Sequence, residues 1–144
     1  MSHLPRVETL FASATRTAAV SNAAGTTVAN IGDVRRAIVT FDVTAMAGVA
    51  GDVLNVYVDV EASPGKFVNA AHFTQVAGDG AAETKVVILD PSNPGTSEID
   101  VTSDAAGGAV RPAAWGMSMR GRYTLHDAGA HGQSATFSLT ALLQ

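Results

Sequence analysis

The stretch Leu54-Asn55-Val56-Tyr57-Val58-Asp59-Val60-Glu61 decides the fold class. Leu54, Val56, Val58 and Val60 are apolar, and the residues between them carry polar groups. Successive side chains of an extended chain point to opposite faces, so the run predicts a strand with one dry face and one wet face. That pattern suits an antiparallel sheet, because parallel sheets are usually covered on both sides. Ala37, Val39, Phe41 and Val43 repeat it against Ile38, Thr40 and Asp42.

Working outward, weaker runs follow the same logic. Residues 7–17 are rich in Thr, Ser and Ala. Residues 67–76 offer Phe67, Phe73 and Val76, and residues 85–89 hold Val86, Val87 and Ile88. Residues 97–102 alternate around Ile99 and Val101. Trp115, Met117, Met119, Gly121, Tyr123 and Leu125 are expected on one face of a long strand. Phe137, Leu139 and Ala141 mark the last strand, over residues 135–143.

The breaks carry turn chemistry. Ser63-Pro64-Gly65-Lys66 predicts a hairpin connection. Residues 48–52 and 78–80 are Gly-rich loops, residues 90–95 and 105–112 form longer ones, and residues 127–132 join the last two strands. Residues 105–114 have room for one helical turn, but Gly107, Gly108 and Pro112 oppose more. About eight strands with turn signals every 8–15 residues predict an all-β, antiparallel sandwich or barrel. No repeat or linker divides the chain, so residues 1–144 are expected to form a single domain.

Composition narrows the function classes. The chain has 144 residues and no cysteine, which excludes disulfides, thiolate metal sites and a cysteine nucleophile. It also removes the usual reason to suspect secretion. Nine Lys and Arg face 13 Asp and Glu, a net charge of −4, without the basic stripe of a nucleic-acid binder. Only 15% of residues are charged, and a surface so poor in charge suits extensive protein contact. No apolar run approaches the roughly 18 residues of a membrane span. The segment from Met1 lacks the pattern of a signal peptide, so the mature chain is expected to begin at or near it.

Candidate chemistry is thin. His126, Asp127 and His131 cluster without a zinc spacing, and His3 and His72 have no partner nearby in sequence. Asp90, Ser92, Asn93, Glu98 and Asp100 could offer oxygens to calcium, but Pro94 and Gly95 put them out of register for a calcium loop. Asp59 and Glu61 share a strand face about 6.5–7 Å apart, where solvated neighbours are expected rather than a glycosidase pair. Gly116 to Gly121 around Ser118 is one residue too long for a nucleophile elbow and reads as strand. Gly78-Asp79-Gly80 misses the last glycine of a dinucleotide fingerprint. Trp115, Tyr57 and Tyr123 could form a sugar-stacking platform, although core packing suits them better. The expectation is therefore no enzyme, no cofactor and no metal. Arg35, Arg36, Arg120 and Arg122 are the basic clusters. Arg120 and Arg122 share a strand face from which they could fork onto carboxylates of a partner chain.

The order of elements adds a resemblance. Leu10 to Thr17, Ala37 to Thr44, Leu54 to Glu61, Ser63-Pro64-Gly65, Phe73 to Gly78, Arg120 to Leu125 and Ala135 to Ala141 succeed one another in a familiar way. From about residue 8 to 143 the chain resembles small β-sandwich, jelly-roll-like virion proteins of tailed bacteriophages. It departs from them between about Asp90 and Trp115, where it carries extra chain. The resemblance implies a capsid decoration (cement) protein, a homotrimer on the outer capsid surface that binds the major capsid protein. It further implies a protein made in the host cytoplasm that binds neither nucleic acid nor membrane. The alternative is a carbohydrate-binding or tail-associated adhesive β-sandwich.

Overall fold

A computed structural model of the chain describes residues 4–93, 98–100, 102–111, 114–127, 129 and 132–144. Ten strands run through them: β1 (Arg6–Arg16), β2 (Val20–Ala29), β3 (Ala37–Ala47), β4 (Val53–Ser63), β5 (Lys66–His72), β6 (Val76–Ala77), β7 (Glu83–Leu89), β8 (Ala109–Val110), β9 (Ser118–His126) and β10 (Ser134–Leu143). No helix occurs among the described residues.

The strands form two antiparallel sheets. One has the order β1-β10-β3-β7. The other has β2-β9-β4-β5-β8, with β6 paired to β4. Among the eight long strands, every step along the chain crosses between sheets except β4 to β5, which is the hairpin at Ser63–Lys66. Gly65 turns it with φ of 73°, a conformation that residues with a Cβ rarely adopt. Two four-stranded sheets wound in this way make a jelly roll.

The dry faces of both sheets meet in one core. Val39, Phe41 and Val43 of β3 and Phe137, Leu139 and Ala141 of β10 oppose Leu54, Val56, Val58 and Val60 of β4. A chain of edge-to-face rings crosses it, from Phe73 to Phe41 at 5.2 Å, to Phe137 at 5.7 Å, and on to Phe11 at 5.7 Å. Gly121 leaves room for this cluster. A Cβ there would stand 2.7 Å from the Phe11 ring and 2.8 Å from Leu139.

Several sequence expectations are corrected. Residues 98–100 and 102 are turn and coil, not strand; the rest of that candidate strand lies outside the described residues. Trp115 and Met117 precede β9. Trp115 donates its Nε1–H to the Ile31 carbonyl at 3.0 Å, and Met117 is half exposed. β2 had no alternating signature, because register shifts fall between Val20 and Ala23 and between Ala24 and Thr27. Each shift re-phases the side chains and erases the period of two.

Candidate functional site

The outer face of the six-stranded sheet carries a polar network rooted in Asp59. This carboxylate is 3% exposed, so the expected solvated strand face is wrong at this position. Its cover comes from the neighbouring strand β9 and from residues remote in sequence. Arg122 reaches from β9 to β4 with Nε 2.9 Å from Oδ2 and Nη2 3.1 Å from Oδ1. Asn69 of β5 donates to Oδ1 at 3.1 Å, and Arg120 Nε lies 3.4 Å from Oδ2. Glu61, two residues on, accepts from Ser118 Oγ at 2.6 Å and from the Gly65 amide at 2.8 Å. Those two bonds hold its carboxyl below the usual range.

The two arginines are used differently. Arg122 commits all five of its donors, to Asp59 twice, Asp104 twice and Asn22 once. Its guanidinium carbon lies 4.1 Å from the Tyr57 ring centre. Burial works against its charge, but the bonds and charges of Asp59 and Asp104 outweigh that and raise its pKa above the ordinary arginine value. Burial, reinforced by Asp104, also raises the Tyr57 phenol. Among the described residues Arg120 commits one donor, the long contact to Asp59, and its guanidinium carbon lies 3.8 Å from the Phe67 ring centre. A cavity of about 230 Å³ opens here, lined by Asn22, Asp59, Phe67, Asp104, Arg120 and Arg122 among others.

The same network fastens the described part of the segment between β7 and β9 to β5. The Ala105 amide donates to Asn69 Oδ1 at 2.8 Å, and His72 Nδ1–H donates to the Ala105 carbonyl at 2.9 Å. The His72 ring stacks on Tyr57 at 4.2 Å. The Arg111 amide donates to the Ala70 carbonyl at 2.9 Å, and its side chain bonds the Asn69 carbonyl and Ser103. β8 completes the attachment by pairing with β5. Four consecutive residues of β5, Val68 to Ala71, are buried as a result, where a one-sided strand would alternate.

The remaining sequence candidates lie elsewhere. Arg35 and Arg36 sit in the turn before β3, away from the Asp59 network. Both backbone amides donate to the Gln144 carbonyl, at 2.7 and 3.0 Å, and the Arg36 side chain forks onto Gln144 Oε1. Asp90 and Asp100 each close a turn. Asp90 accepts from the Ser92 hydroxyl and amide, Asp100 from the Thr102 amide and hydroxyl, and these bonds lower both carboxyls. Among the described residues no group of three His, Asp or Glu is placed to hold a metal. His126 is exposed; His131 and His3 lie outside the described residues.

Sequence reasoning missed a second surface, on the outer face of the four-stranded sheet. Val7 pairs with Leu142, Leu142 with Ile38, and Ile38 with Ile88, so four apolar side chains line up across β1, β10, β3 and β7. Val7 is 69% exposed and Ile88 53%, with Val86 beside them at 54%. Thr9, Thr140, Thr40 and Ser138 fill the neighbouring outward positions. Asp42, held by the Thr84 hydroxyl at 2.9 Å, is the one charge among the described outward positions. The available signal was that Ile38 and Leu142 each interrupt the polar side of an alternating run. A scan against family models finds no match, and neither a curated protein nor a solved structure matches the chain.

Proposed function

We propose that this protein is a structural component of a phage particle, a jelly-roll decoration protein that seats on the outer capsid surface and ties neighbouring major capsid protein subunits together. The observation that carries this reading is the apolar row Val7–Leu142–Ile38–Ile88 on a nearly uncharged sheet face. Exposed apolar surface of that kind marks a protein contact. The jelly-roll winding agrees with the phage proteins that the sequence resembles. Charge poverty adds support, since interface centres are depleted of charge.

The mechanism is cementing. Each copy adds buried interface between subunits, and swelling of the shell must break it. Specific interfaces bury about 1,200–2,000 Å² in total, and repetition over a shell multiplies modest contacts. Self-association as a trimer belongs to the same reading.

Co-sedimentation with capsids lacking the protein tests it. Binding that is lost in the double variant Ile38→Asp/Ile88→Asp, whose fold is intact by circular dichroism, is the expected result. No co-sedimentation, together with selective binding on a glycan array, would replace this reading with the carbohydrate-binding one. A strictly monomeric state in solution and on the particle would remove the trimer.

A further inference from the structure

We infer that the cavity beside Arg120 is a binding pocket for a carboxylate, and that its occupant is the Asp or Glu side chain of a partner protein. The inference follows from which polar groups around the cavity are already used. Asp59 accepts four bonds, and both Asp104 oxygens are held by Arg122. Asn69 Oδ1 is taken by the Ala105 amide, and all five Arg122 donors are engaged. What remains is mainly a set of donors, beside the second lone pairs of the Asp104 oxygens and those of the Thr102 hydroxyl. The four terminal N–H groups of Arg120 have no partner among the described residues, and the Asn22 amide makes only one long contact, 3.4 Å to Ser21.

A ligand for this pocket must therefore above all accept. A sugar hydroxyl can hand its proton to Asp104 or Thr102, but it presents Arg120 with one acceptor oxygen rather than two. A carboxylate brings acceptors alone and matches the fork of a guanidinium. Arg120 is pre-organised to receive it: Phe67 supports one face of the guanidinium, Asp59 fixes Nε, and its side chain is only 28% exposed. The cavity of about 230 Å³ has room for one such side chain, and it lies on the opposite sheet from the apolar row. This chemistry is independent of whether the partner is a capsid.

The test uses the full ¹⁵N-labelled chain, read at the arginine Nε–H resonances. The probes are a blocked glycyl-glutamyl-glycine peptide, its glutamine counterpart, acetate and galacturonate. A saturable shift of the Arg120 resonance with the glutamyl peptide and none with the glutamine peptide is expected. Arg120→Lys, which keeps charge but loses the fork, should weaken binding about fivefold or more, read at the Arg122 Nε–H resonance in the same cavity. Asn22→Asp keeps the acceptor for Arg122 but adds a negative charge at the pocket, and should also weaken binding. Arg120→Gln should abolish binding, and the two milder variants keep the test valid if it does not fold. Equal shifts with both peptides, no saturation by any carboxylate, or unchanged affinity in both variants would overturn the pocket. Tighter binding of galacturonate than of the peptide would overturn the protein source and assign an acidic sugar instead.

Discussion

Asp59 stands directly opposite Arg120 in the pairing of β4 with β9, yet it takes its two-pronged hydrogen bond from Arg122, one diagonal step along the strand. Diagonal neighbours lie within reach of long side chains, and this one frees Arg120 to lie over Phe67. The pair is buried on both sides, with Asp59 4% and Arg122 12% exposed at the side chain.

Removing one partner should therefore be costly. Asp59→Ala is expected to destabilise the fold by about 1–3 kcal/mol, because Arg122 Nε and one Nη2 proton lose their buried acceptor while Asp104 still pairs the guanidinium charge. Urea unfolding measures it. The double variant Asp59→Leu/Arg122→Met should lose less than the sum of the two single changes, since neither leaves a buried charge.

Gly121 tests the packing of the core. Gly121→Ala places a methyl group against Phe11 and Leu139, and overpacking of that kind costs about 1–3 kcal/mol. The loss should show in the urea midpoint with little change in slope.

Acid stability depends in part on Glu61. Its folded pKa lies below its unfolded value, so its contribution is present above the unfolded pKa and lost as pH falls through the folded one. Melting temperature should thus drop on the acid side of the ordinary carboxylate range. Glu61→Gln should flatten that part of the profile and leave neutral pH less affected than acid pH.

Asn69 holds the docked segment through Oδ1 and its backbone carbonyl, while its Nδ2 bonds β4 and β5. Asn69→Ala should speed hydrogen exchange at the Ala105 amide, which donates to it at 2.8 Å, and expose residues 102–111 to proteolysis. Exchange in the β3 and β10 strands should change far less, because their bonds lie in the other sheet.

The strands that were plain in the sequence are those whose two faces meet different surroundings. β3, β4 and β10 each pair a dry core with a wetter outside, and the period of two survives. β2 was illegible because its register shifts reset the period, and β5 because the docked segment dries both of its faces. At the site, the sequence singled out Arg120 and Arg122 but treated them as a matched pair. Their difference depends on Asn22 and Asp104, 100 and 18 residues from Arg122, which no local pattern connects. Asp59 looked solvated for the same reason. A consequence is that charge reversal at both arginines would disturb folding through Arg122, so Arg120 alone reports on binding.

The apolar row has a bearing on how the surface can be imitated. Its four members come from near the start, the middle and the end of the chain, and only strand pairing sets them side by side. No single stretch of sequence contains two of them in that arrangement. A linear peptide cut from this protein should therefore fail to compete for whatever the row touches, and an antibody that blocks the row should recognise only the folded chain.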